Sequence, residues 1–178
     1  AGDTENGRLA EHDFLRMFIQ GLSTLGAVPE GAHEDIALDV TPVNYAARAM
    51  VDVAMSTQNP QGGIYHIANN KGVSLAMITH ALNHKGHSIK ILPFAQWQSL
   101  MQDKKEDFTS AQAATYLALC RLFTDGRYNQ HRAMDLFQAT NIIFDTAQAQ
   151  AASQTISALH ALDLKTVLDL YVSQIFAA

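Results

Sequence analysis

Two periodicities of apolar and polar residues run along this chain, and the change from one to the other marks its elements. After Asp13 the apolar residues Phe14, Phe18, Leu22 and Leu25 recur at helical spacing, with Asp13 placed to cap the first turn and Gly26 to stop the last. Ala37-Leu38-Asp39-Val40 reads as a short strand, and Thr41-Pro42 then supplies an N-cap followed by the residue favoured at the first helical position. The next helix carries Ala46, Ala47, Met50, Val51 and Ala54, small and apolar residues that predict close packing and deep burial. Residues 64–68 read as a strand between two turn-rich stretches. Ser74 caps a helix that turns Leu75, Ile78 and Leu82 inward and closes at Lys85-Gly86. Residues 89–92 alternate as a strand does, and Pro93 ends that strand before a short helix over 94–101.

Beyond Lys104-Lys105-Glu106-Asp107, a charged and solvated break, the strand signal fades. Helices are predicted over residues 110–124, stopped by Asp125-Gly126, and more weakly over 146–153. A last helix over 164–175 is capped by Asp163 and shows one apolar face of Leu164, Val167, Leu168, Tyr171 and Ile175. The fold class is therefore α+β and helix-rich, with a few short strands and a helical tail. Residues 1–103 form an α/β part and residues 104–178 a helical subdomain, its helices from 110 onward expected as a separate layer.

Composition narrows the partners. The 178 residues are 48% hydrophobic, enough for one substantial core, and carry a net charge of −5. No dense Lys/Arg stripe is present to neutralise a run of phosphates, so nucleic acid is not an expected partner. No apolar stretch approaches the ~20 residues that span a bilayer, and the amino-terminal residues do not form a signal sequence; the protein is read as cytoplasmic, with no membrane partner. The single cysteine, Cys120, lies in the apolar run Tyr116-Leu117-Ala118-Leu119 and reads as a small buried hydrophobe. The opening Ala1-Gly2-Asp3-Thr4-Glu5-Asn6-Gly7 consists of turn residues with no element before them, which reads as an excised segment.

Candidate chemistry is sparse. No Gly-x-Gly-x-x-Gly stretch or phosphate loop cradles a pyrophosphate, and no tyrosine has the lysine four residues on that would depress its pKa for proton transfer. His80, His84 and His87 are the tightest histidine group. His87 lies past the Gly86 stop and no glutamate follows His80, so a solvated helix end explains them better than a metal site. Glu11-His12-Asp13 is an ordinary acidic helix start, and no serine sits in a nucleophile elbow. No catalytic, cofactor-binding or metal residue is assigned in this chain.

Four ordered blocks carry a family likeness. They are Gly2-Asp3-Thr4-Glu5-Asn6-Gly7 with Asp13-Phe14-Leu15; Leu25-Gly26-Ala27-Val28-Pro29; Leu38-Asp39-Val40-Thr41-Pro42-Val43-Asn44-Tyr45-Ala46-Ala47-Arg48-Ala49; and Gly63-Ile64-Tyr65-His66-Ile67-Ala68-Asn69 followed by Leu92-Pro93-Phe94-Ala95-Gln96-Trp97. Phe144-Asp145-Thr146 and Leu168-Asp169-Leu170-Tyr171 echo a terminal helical pair. Together they resemble the carboxy-terminal, substrate-side portion of a thioester reductase domain of the extended short-chain dehydrogenase/reductase superfamily, the kind that ends nonribosomal peptide synthetases, some polyketide synthases and carboxylic acid reductases. Asn44 stands where the family usually has Asp.

The resemblance implies a parent oxidoreductase that uses NADPH or NADH to reduce a carrier-protein-bound acyl or peptidyl thioester, held on a phosphopantetheine arm, to an aldehyde or an alcohol. It implies that the Rossmann half, with cofactor and catalytic residues, is absent here, and that this chain alone is inactive and binds no cofactor. Substrate-binding residues are expected at Gly2, Asp3, Thr4, Asn6 and Gly7, where glycines permit close backbone approach. A purely structural turn is the competing reading. Pro42, Val43 and Asn44 form a second candidate edge, with a simple helix start as its alternative. The chain could instead come from another extended short-chain dehydrogenase acting on a nucleotide sugar, or serve as a non-catalytic carrier-docking module. Its expected partners are the acyl or peptidyl carrier protein and the chain's own missing Rossmann half. An apolar seam of Ile64, Ile67, Ala46, Ala47, Met50 and Val51 is expected where that half docks, or where a second copy makes a homodimer.

Overall fold

The computed structural model describes residues 1–30, 37–56, 63–104, 108–109, 113, 115 and 143–177. Among them, α1 (Phe14–Leu25) begins where the sequence places it. The Asp13 carboxylate accepts the Leu15 and Arg16 backbone N–H groups at 2.9 and 3.3 Å, and Gly26, at φ 70°, ends the helix in the left-handed conformation. Short strands follow at β1 (Ala27–Pro29) and β2 (Ala37–Asp39). Then come α2 (Val43–Met55), β3 (Gly72–Ser74), α3 (Leu75–His84), β4 (Lys90–Leu92) and α4 (Phe94–Asp103). The tail adds α5 (Ala147–Ala152), α6 (Gln154–His160) and α7 (Leu164–Ile175). The helix expected over 110–124 lies outside the described residues except for Ala113 and Thr115, both helical, and Cys120 lies outside them too.

Two ladders form. β1 pairs parallel with β4, Val28 opposite Ile91, and β2 pairs antiparallel with β3, Leu38 opposite Val73. Trp97, fully buried on α4, locks the first ladder by donating its indole N–H to the Ala27 carbonyl at 3.1 Å. Around these pairs one apolar cluster gathers Phe18, Ile19 and Leu22 of α1, Leu75, Ile78 and Leu82 of α3, Trp97 and Met101 of α4, and Leu168, Tyr171 and Val172 of α7. The last helix of the tail thus shares its core with the first hundred residues. A smaller cluster joins Ala49 of α2 to Ala149 of α5 and Ile156 of α6, with Tyr65 and Ile67 packed on it.

Three expectations are corrected. Residues 64–68 are extended but belong to no ladder among the described residues. They lie against the tail through side-chain bonds instead: the His66 ring meets the Asp145 carbonyl at 3.2 Å, Asn70 donates to the Phe144 carbonyl at 3.0 Å, and the His160 ring meets the Ala68 carbonyl at 3.0 Å. The N-cap of α2 is Pro42, not Thr41, whose hydroxyl is engaged elsewhere, donating to Asp39 and accepting the Asn69 N–H. Nor is α2 deeply buried. Only Ala49 is sequestered, while Val43, Met50, Val51 and Met55 are 53, 59, 61 and 77% exposed. Of the residues expected in the apolar seam, Met50, Val51 and Ile64 are exposed, while Ile67 packs on the smaller cluster.

Candidate substrate-side site

The two groups of candidate residues, some 40 positions apart in sequence, meet in space. Residues 2–7 form a closed turn in which the Gly7 N–H donates to the Asp3 carbonyl and the Asp3 N–H to the Arg8 carbonyl, both at 3.0 Å. The Asp3 carboxylate accepts the Glu5 and Asn6 N–H groups at 2.6 and 3.3 Å, the bonding expected of an Asp at the head of a turn. This turn lies on the amino end of α2. The Val43 N–H, one of the donors a helix start leaves unpaired, is taken by the carbonyls of Ala1 and Gly2 at 3.2 and 3.1 Å. Asn44 closes the junction. Its amide donates to the Thr4 hydroxyl at 2.9 Å while its side-chain oxygen accepts the Thr4 N–H at 3.3 Å. Gly2, Gly7 and Pro42 are buried, Asp3, Thr4 and Asn44 half-buried, and Asn6 and Val43 exposed.

The glycines have a second determinant that the sequence did not disclose. A Cβ on Gly2 would stand 2.6 Å from the Arg8 carbonyl and 3.1 Å from the Tyr171 ring. One on Gly7, at φ 71°, would stand 2.9 Å from Leu170. The turn is seated on α7, and Tyr171 fastens it by donating its hydroxyl to the Gly2 carbonyl at 2.7 Å. Burial, reinforced by the carboxylates of Asp13 and Asp3, pushes this phenol well above the usual tyrosine range, so it stays protonated and acts as a clamp rather than an acid or base. Tyr171 had been legible only as a member of an apolar helix face; the signal for its second role is that a buried tyrosine hydroxyl needs a partner.

Below Gly7 the turn borders a cleft of about 330 Å³ lined by Arg8, Leu9, Arg16, Gln174, Ile175 and Ala177. Neither arginine was singled out by sequence.

The histidines point to separate partners. His84 lies 3.4 Å from Asp169, while His87 meets the Ser23 hydroxyl at 2.8 Å and packs on Phe176. Among the described residues no group of three His, Cys, Asp or Glu side chains is placed to hold a metal ion. Of the three helices that follow strands, α2 and α3 have amino ends engaged by the chain itself, α2 by the Ala1 and Gly2 carbonyls and α3 by Ser74, whose hydroxyl accepts the Met77 N–H at 3.2 Å, while α4 starts after Pro93 with no side-chain cap. No helix of the described chain is long and apolar enough to cross a membrane.

With this geometry in place, comparison with solved structures decides the fold. The terminal reductase domain of the myxalamid polyketide synthase–nonribosomal peptide synthetase pathway superposes over 98% of this chain, with a TM-score of 0.67 at 18% identity. The fold is that of the carboxy-terminal part of a terminal reductase domain. The reductase domain of a nonribosomal peptide synthetase from Mycobacterium tuberculosis matches over 98% at TM-score 0.65 and 18% identity. A thiolation-reductase di-domain from an archaeal nonribosomal peptide synthetase matches over 97% at 0.59 and 14%. The chain spans 40, 43 and 33% of the length of these three structures, respectively. No family model and no curated protein matches the sequence.

Proposed function

We propose that this chain is the substrate-side portion of an NAD(P)H-dependent thioester reductase, whose whole form releases an acyl or peptidyl group from a carrier protein as an aldehyde, or as an alcohol after a second hydride. The observation that carries the reading is the convergence of the turn at residues 2–7 with the start of α2, within a fold that superposes on reductase domains over nearly its whole length. One of those relatives was solved joined to its thiolation domain, which supports a carrier protein as the partner here. Gly2, Asp3, Thr4, Asn6 and Gly7, with Pro42, Val43 and Asn44, form the edge that meets the substrate. The Thr4–Asn44 pair fixes that edge, and the glycines bring backbone rather than side chains to it.

Hydride and cofactor belong to the portion beyond this chain. NADPH or NADH binds there, and the chain alone is inactive. The exposed face of α2 is where that portion docks, since Val43, Met50, Val51 and Met55 form a contiguous apolar stripe and the relatives are more than twice as long. A nucleotide-sugar enzyme and a non-catalytic docking module are the competing readings.

An amide-resolved NMR titration of the chain with S-acyl-pantetheine, the soluble end of a carrier-bound substrate, tests the proposal. Shifts should concentrate at Thr4, Gly7 and Asn44 and saturate in the millimolar range or below. Saturating shifts with a UDP-sugar at the same residues, and none with the acyl-pantetheine, would replace the reading with the nucleotide-sugar one.

A further inference from the structure

The cleft beneath Gly7 carries more than the substrate-edge reading uses. Arg8 and Arg16 both line it, in a chain whose net charge is −5. Among the described residues neither guanidinium has a carboxylate within 4.0 Å. Arg16 is held in place by one bond, from Nη1 to the Leu9 carbonyl at 3.2 Å, and the Arg8 side chain makes no hydrogen bond to a described residue. Two cations on one small cleft, with most of their donors unspent among the described residues, suit an anion that joins them. Service to the α7 dipole is the simpler role, because the carboxyl end of α7 is close by at Gln174 and Ile175. That role would engage the last carbonyls of α7, and no hydrogen bond from either arginine to them is present among the described residues.

We propose that this cleft binds a phosphate ester, with Arg8 and Arg16 as its ligands. Resting on the reading above, the ester is that of the substrate's pantetheine arm. Gly7 belongs both to the cleft and to the turn, so an arm anchored here by its phosphate runs along the turn past Thr4 towards Asn44. The buried turn then has a reason to be rigid: Tyr171 and Leu170 fix the backbone that separates the anion site from the substrate edge.

Calorimetric titration of the 178-residue chain with three probes tests this: S-acyl-4′-phosphopantetheine, S-acyl-pantetheine and inorganic phosphate. The phosphorylated arm should bind about tenfold tighter than the unphosphorylated one. That preference should shrink as salt is raised and vanish in R8Q and in R8Q/R16Q, with S-acyl-pantetheine binding unchanged. Arg8 is exposed, so R8Q should melt as the parent does and keeps the test decisive if the double variant fails to fold. Equal affinity for the two arms, or a preference that survives R8Q, overturns the anion site and leaves the substrate edge standing. Inorganic phosphate binding as tightly as the phosphorylated arm would make the ligand free phosphate and overturn its assignment to the arm. If neither arm binds, the anion site and the substrate reading fall together. A lower melting temperature in R8Q without any change in binding would return the arginines to the helix dipole.

Discussion

Helices α2 and α7 are of nearly equal length and each carries an apolar stripe at helical spacing, yet the chain treats them in opposite ways. On α7, Leu164, Val167, Leu168, Tyr171 and Val172 are all buried, against α1, α3 and the glycine turn. On α2 the stripe of Val43, Met50, Val51 and Met55 faces outward, and the inner side is held by little more than Ala49 and a polar contact. Periodicity reports that a helix has an apolar face; it does not report whether the surface that covers the face lies in the same chain. In the proposal above, the stripe on α2 is half of an interface.

Paired truncations make the largest test of that contrast. Leu168→Ala removes a side chain that is 1% exposed in the main cluster and should cost about 2–5 kcal/mol by urea denaturation. Met50→Ala, the same kind of truncation at 59% exposure, should stay within about 0.5 kcal/mol in the isolated chain. If Met50→Ala costs as much as Leu168→Ala, the α2 face is covered within one molecule and the docking assignment fails. Introducing lysine at Met50 should likewise spare the fold while abolishing any association through this face, which light scattering would show.

How far the sequence foretold this structure depends on whether a feature is local. Caps at Asp13, Ser74 and Asp163 and the stops at Gly26 and Lys85-Gly86 are written in a few adjacent residues, and each is where the sequence puts it. β4 at Lys90–Leu92 was legible for the same reason. The extended segment 64–68 was not, because its alternation is equally satisfied by side-chain packing on α5 and α6 without any ladder. Helix α6 was not predicted at all, since the weak helix read over 146–153 stops before it, although Ser153 caps it and Ile156 and Leu159 are spaced for burial. In the candidate site, the two edges could be named from residue type and family likeness, but their joining through Thr4 and Asn44 is a long-range contact with no local signature. The Arg8–Arg16 cleft is invisible in sequence on the same ground.

The glycine turn, which touches both α7 and the start of α2, allows a second and smaller test. Gly7→Ala forces a side chain into the left-handed region and brings its Cβ to 2.9 Å from Leu170, so it should cost about 1–3 kcal/mol, read as a lower urea midpoint at unchanged slope. Gly86→Ala is the control. It shares a positive φ, at 90°, but a Cβ there meets nothing within 4 Å, so only the backbone penalty applies. Equal losses at both positions would mean that the turn is not seated on α7 at all.

The smallest effect concerns the polar contact that holds the inner side of α2. The Asp52 carboxylate accepts the Ser153 hydroxyl at 2.5 Å and the Thr155 hydroxyl at 2.7 Å, fastening α2 to the start of α6. These two bonds, with a further contribution from Arg48, hold the Asp52 pKa below its ordinary 3.8. A carboxylate whose folded pKa is depressed adds stability that is present above its unfolded value and lost as pH falls through the folded one. The contact is therefore intact at neutral pH and weakens only below about pH 3.8. Asp163, held low by Thr166 and the α7 amide groups, titrates in the same window at the other end of the tail. Melting curves between pH 2 and pH 6 should fall more steeply for the parent than for Asp52→Asn, because the variant has no charge to lose there, and the Asp163 contribution is common to both. The loss should be small, since Asp52 is only half-buried and its bonds compete with solvent. Should the two chains show the same pH slope, Asp52 adds nothing to the hold of α6 on α2, and α2 is attached to the tail through Ala49 and its neighbours alone. Such a helix contrasts with α7, whose Asp163 cap titrates in the same range but whose attachment to the core is mainly apolar.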